Sequence, residues 1–182
     1  MDMLLLRHFQ NQVVLQAHFI ILAVHHLDAA RKKHDIPRTF YALQNLLNAA
    51  ANISKALWGS KGKRAAQRKP LRDSIGIDDQ SPLREVTMRN NYEHFDERLD
   101  TWWNESPNHN AVDLSVMPRN AIPGIPTNGW FRVYDPLTGN LTFWDEDFNV
   151  QAIINEIERI LPKLEEEANK PPWQTPQPKP TA

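Results

Sequence analysis

The sequence predicts a mainly α protein, an up-and-down helical bundle with an appended β-hairpin and a C-terminal helix. Three observations carry this. Long stretches without Gly or Pro repeat apolar residues at three- and four-residue steps. Pro and Gly mark the ends of those stretches. One region alone, Trp130 to Trp144, pairs two aromatic, β-prone runs around good turn chemistry. With 182 residues, 41% hydrophobic and 24% charged, the chain has the size and composition of one globular unit with attachments.

From about Met3 to Lys33 helix formers dominate, and Leu15, Phe19, Leu22, His26 and Ala29/Ala30 recur as an apolar side. His34-Asp35-Ile36-Pro37 breaks this helix, with Pro37 suited to the first turn of the next. The second helix is expected over Pro37–Trp58, with Phe40, Leu43, Leu47, Ala50/Ala51, Ser54 and Leu57 inward and Gly59 as its stop. A basic, mobile loop is expected from Lys61 to Pro70, then a helical turn over Leu71–Ile77. Ser81-Pro82 reads as a helix start, N-cap followed by first residue. Met88, Tyr92, Phe95, Leu99 and Trp102 then form one stripe, expected to bury against the first two helices, and the helix should end near 104–107.

Residues 108–129, rich in Pro and Gly, form an irregular connection. Trp130–Tyr134 and Leu141–Trp144 flank Asp135–Asn140 as a hairpin. Val150–Leu164 is a last amphipathic helix whose end Pro162 perturbs. The expected organisation is therefore a bundle over 1–107, a connection, hairpin and helix packed on it over 108–169, and a disordered Pro-rich tail over 170–182.

The 21 Lys and Arg nearly balance 22 Asp and Glu, so any nucleic-acid site must be a local patch. The chain has no cysteine, which excludes disulfides, thiolate metal sites and cysteine nucleophiles, and fits a cytoplasmic location. The N-terminus lacks the basic stretch of a secretion signal. Val13–Val24, interrupted by Gln16 and His18, is too short and polar to span a bilayer, so no membrane partner is expected. No phosphate-binding Gly loop, nucleophile elbow or His-Glu-x-x-His occurs. The histidines, even His18 and His25 on one face, lack an Asp or Glu that completes a ligand set, so neither metal nor other cofactor is expected.

The polar constellation sits in Met88-Arg89-Asn90-Asn91-Tyr92-Glu93-His94-Phe95-Asp96. Histidine titrates near neutrality and can act as general base or acid. Arginine holds phosphate oxygens bidentately and offsets developing charge. Asn90 could orient the phosphate or the imidazole. On an ideal helix, Arg89 and His94 point roughly 140° apart, so one chain joins them only if Arg89 bends. A two-fold partner could instead bring one copy's His94 to the other's Arg89. The competing reading is a surface ion-pair network with Glu93, Asp96 and Glu97.

Here the sequence resembles the HEPN superfamily (higher eukaryotes and prokaryotes nucleotide-binding domains), whose motif is Arg, usually then a polar residue such as Asn, and His four to six residues on. Arg89 to His94 fits with four residues between, late in a set of helices as the family places it. The resemblance covers roughly residues 4–104. It implies a metal-independent endoribonuclease, a toxin or defence protein acting as a homodimer on RNA and met by an antitoxin or other partner protein. The family's other mode implies the alternative, a non-catalytic dimeric module that binds a nucleotide or a protein. Arg89 and His94 would be catalytic, with Asn90, Glu93 and Asn48 in support. Asn45, Asn48 and Asn52 otherwise read as a solvated edge or a helix–helix hydrogen bond. Lys61, Lys63, Arg64, Arg68 and Lys69 would meet the RNA backbone, or form a plain solvated loop. Trp102, Trp103 and the hairpin aromatics read as core, with base stacking as the other reading.

Overall fold

The computed structural model describes residues 1–106, 108–119, 121–144, 146–171 and 173. Its architecture is mainly α with a small sheet. The helices are α1 (Met3–Lys32), α2 (Ile36–Trp58), α3 (Ala65–Ile75), α4 (Thr87–Glu93), α5 (Phe95–Glu105) and α6 (Val150–Ala168). The strands are β1 (Ser115–Val116), β2 (Val133–Asp135), β3 (Asn140–Phe143) and β4 (Glu146–Asn149), in the order β1-β2-β3-β4. Most of the segment beyond Lys170, expected as a tail, lies outside the described residues.

Local chemistry sets the helix ends. The Asp2 carboxylate accepts from Leu4 N, and Asp35 accepts from Arg38 N. Gly59 stops α2 at φ +77°, and a Cβ there would sit 2.8 Å from Arg64 Cβ. The Asn149 side chain caps α6. That helix continues through Pro162 to Ala168, past its expected end.

α1 and α2 form an antiparallel pair, while α6 lies along α1 and touches α3. The core runs through Val13, Ile20, Leu27, Leu43, Leu47, Leu57, Ile153 and Ile160. A polar cluster is threaded between these helices. Arg7 donates to Gln10 Oε1 at 2.6 Å, Gln10 Nε2 donates to Ser74 Oγ at 2.9 Å, and Arg7 stands 3.7 Å from the buried Glu167 carboxylate. Glu167 Oε1 also meets Lys170 at 2.6 Å and Lys163 at 3.1 Å, and this pairing of the cluster's charges offsets part of their desolvation.

Several expectations are corrected. On α1 the stripe Leu15, Phe19, Leu22 and His26 faces outward, while Leu6, Val13, Ala17, Ile20, Ala23 and Leu27 are buried. α1 has apolar residues on both sides, so periodicity alone could not choose the inner one. Among the described residues it is also the one helix long and apolar enough to cross a membrane by length and composition, because it extends well past Val13–Val24. The expected basic loop is a 3-10 turn at Ser60–Gly62 followed by α3, which contains Pro70. Arg72 holds that helix in place: it is buried and donates to the carbonyls of Leu57 (2.7 Å) and Ala65 (2.8 Å).

The single helix expected from Ser81 is three pieces. Ser81 does cap, accepting from Leu83 N, but it starts only a 3-10 turn at Pro82–Arg84. Extended backbone at Glu85 follows, then α4, a break at His94 (φ −106°, ψ 36°) and α5. The stripe on these helices packs on the sheet rather than on α1 and α2. Tyr92 and Phe95 meet Phe143 with centroids 6.1 and 6.0 Å away, and Trp102 meets Phe131 at 5.2 Å. α4, on which Met88 is buried, also touches α2, and Leu99 is 40% exposed. The hairpin forms as expected, with Tyr134 opposite Leu141. It is the centre of a larger sheet, because β1 adds in parallel and β4 antiparallel.

Candidate phosphate cleft around Arg89

Four segments converge on one cleft of ≈ 430 Å³: the last turns of α2, the Gly59–Gly62 turn, the Pro82–Arg84 turn and α4. Ser54 Oγ donates to Arg84 O at 3.3 Å, which holds the Pro82–Arg84 turn on α2. The lining presents Lys55, Arg84 and Arg89, together with the Asn90 amide, and among the described residues it has no carboxylate. Arg84 donates to Asp79 O at 3.2 Å. Three cations gathered without a lining anion suit phosphate oxygens.

Arg89 is half-buried and lies along α4. Its guanidinium bonds the Glu93 carboxylate one turn on and stands 3.4 Å from Asn90 Oδ1. His94 is outside the cleft lining, at the break between α4 and α5, with its side chain half exposed. Its Nδ1 stands 3.6 Å from Glu97 Oε1, and among the described residues Nε2 has no hydrogen bond. Arg89, Asn90 and Glu93 are thus brought together. His94 is adjacent in the chain but has its own carboxylate.

The other expected residues lie elsewhere. Asn48 lines a separate groove with Asn45, Asn52, Phe19 and Tyr41. The basic run does not reach the cleft as a unit. Arg68 covers the Phe9 ring at 3.5 Å, Lys69 pairs with Asp73 at 2.6 Å, and Arg64 donates to Gln67 at 3.0 Å. Lys63 is exposed, and the Lys61 side chain lies outside the described residues. Their replacements, Lys55 and Arg84, went unread. Lys55 was legible in principle, one turn beyond Asn52 on the exposed edge of α2; Arg84 was not, because a continuous helix was expected there.

A larger cleft of ≈ 550 Å³ at the α1–α2 turn is lined by Asp28, Arg31, Lys32, His34 and Val116 among others, and contains none of the expected residues. Arg31 and Lys32 there complement the C-terminal end of α1. Among the described residues no group of three His, Asp or Glu is placed to hold a metal. Comparison of the chain with protein families, with curated proteins and with solved structures finds no match.

Proposed function

We propose that the Arg89 cleft binds the phosphate backbone of RNA and that the chain is a metal-independent endoribonuclease of the HEPN type. The observation that carries this reading is the gathering of Lys55, Arg84 and Arg89 in one carboxylate-free lining, beside the helix that His94 closes. In this scheme Arg89 and Asn90 hold the scissile phosphate. His94 takes the proton of the ribose 2′-OH, whose oxygen attacks phosphorus. The bond to the 5′-oxygen breaks, that oxygen takes a proton from solvent, and His94 returns to solvent the proton it took. Arg89 offsets the charge that builds on the phosphorane. Such an enzyme would serve as a cytoplasmic toxin or defence protein, restrained by an antitoxin or another partner protein.

The Arg89–Glu93 pair favours a second reading, a non-catalytic dimeric HEPN-like module that binds a nucleotide or a protein partner. A guanidinium already neutralised has less charge to lend a transition state. Incubation with several single-stranded RNAs in EDTA separates the two. The first reading expects fragments with 2′,3′-cyclic phosphate and 5′-OH ends; binding without cleavage supports the second.

A further inference from the structure

The outward faces of α1 and α2 carry no Lys, Arg, Asp or Glu of their own from His8 to Leu27 and from Thr39 to Ser54, although charged residues make up 24% of the chain. At one edge His18 pairs with Glu165 of α6 at 2.9 Å. Burial accounts for the inner faces only. Leu15 (46%), Phe19 (47%), Leu22 (52%) and Tyr41 (62%) are exposed, and Asn45, Asn48 and Asn52 run beside them along a groove of ≈ 330 Å³. A solvated helix face ordinarily carries charge, whereas a contiguous apolar one marks a contact surface.

We propose that this α1/α2 face joins two copies of the chain. Charge selects a second copy over other occupants. The same uncharged surface meets itself without like-charge repulsion, whereas a nucleic-acid backbone or an anionic lipid surface finds no Lys or Arg along these stretches. Asn45 Nδ2 donates to Tyr41 O and Asn52 Nδ2 to Gln16 Oε1 within the chain, which leaves each amide an oxygen and a second hydrogen. With Asn48, these can pair with their own kind across a two-fold axis. Area agrees. The uncharged stretch of α1 is about 30 Å long at 1.5 Å per residue, and two helices side by side span roughly 20 Å. That gives each copy about 600 Å², which reaches the lower end of stable interfaces. The inference deepens the dimeric HEPN reading by naming the face that joins the copies. Since none of these residues lines the Arg89 cleft, RNA cleavage and dimer formation are tested separately.

Light scattering on the full chain at micromolar concentration tests it, and twice the chain mass is expected. Phe19→Glu and Leu22→Lys on α1, and Asn48→Lys on α2, are all at exposed positions and should each give a monomer with an unchanged circular dichroism spectrum. Leu137→Lys, at an 83% exposed residue of the β2–β3 turn, should remain a dimer. A wild-type monomer overturns the proposal, whether it stays in solution or partitions onto phosphatidylcholine vesicles. A dimer that all three α1/α2 substitutions leave intact overturns it equally.

Discussion

Asn91 Nδ2 donates a 2.7 Å hydrogen bond to Glu146 Oε2, tying the Arg89 helix to strand β4. Arg98 Nε in turn donates to Asn91 Oδ1 at 3.2 Å, so one buried amide joins α4, α5 and the sheet. Asn91→Leu removes both bonds. Because Glu146 is exposed, the cost should be about 1 kcal/mol, read by urea denaturation. The substitution should also weaken RNA binding by loosening Arg89. Unchanged stability would remove Asn91 from the account.

Arg72 carries more. Its guanidinium serves two carbonyls, the buried Leu57 and the partly buried Ala65, and stands 3.5 Å from Asp79, whose Oδ1 accepts from Trp58 Nε1 at 2.7 Å. Arg72→Met leaves the Leu57 and Ala65 carbonyls without this donor and should cost about 3 kcal/mol. The joint between α2 and α3 should loosen first, as faster amide exchange over 57–66 than in α6. Equal exchange in both regions would contradict that role.

Stability should fall in acid partly through Glu156. The Arg159 hydrogen bond holds its carboxyl below the ordinary value near 4.5; burial pushes the other way, and the Ser81 hydroxyl at 2.7 Å adds to the lowering. A folded pKa below the unfolded one stabilises above the unfolded value, and that contribution is lost as pH falls through the folded value. Glu156→Gln should therefore be less stable than wild type by about 1 kcal/mol at neutral pH, with the difference closing below pH 4.5. Urea melts across that window check it; a constant difference would assign the cost to packing instead.

In the proposed reading, Glu93 competes with phosphate for Arg89, with which it is paired. Glu93→Gln frees the guanidinium at the cost of an ion pair worth about 0.2–1 kcal/mol. RNA affinity at low salt should rise about twofold to fivefold, with less effect at high salt. Weaker binding would show that Glu93 positions Arg89 for its ligand.

What could be read from the sequence follows where one signal dominated. Gly59 at the end of α2, the Asp135–Asn140 turn and the single apolar side of α6 each had one interpretation, and the structure has those elements. α1 failed because both of its sides are apolar, and only tertiary packing chose Val13 and Ile20 over Leu15 and Phe19. The 81–105 helix failed because Ser81-Pro82 has the chemistry of a helix start and the Met88–Trp102 period runs through His94, while the backbone turns at Glu85 and His94 and lays Tyr92 and Phe95 on Phe143. β1 has only 2 residues, and β4, Glu146-Asp147-Phe148-Asn149, lacks the aromatic and β-prone run that marked the hairpin. Of the candidate site, Arg89, Asn90 and Glu93 were legible as neighbours on a helix. Lys55 and Arg84 reach the cleft only through the contact of the Pro82–Arg84 turn with α2.

The rate of RNA cleavage under single-turnover conditions in EDTA, for wild type, Arg89→Ala and His94→Ala, tests the central claim most directly. Neither residue fills the core, so circular dichroism should show both variants folded. Loss of proton transfer in His94→Ala should slow cleavage about a hundredfold or more. Loss of charge stabilisation in Arg89→Ala should do similar damage and also weaken RNA binding. Equal rates in wild type and both folded variants would contradict the assignment of these residues.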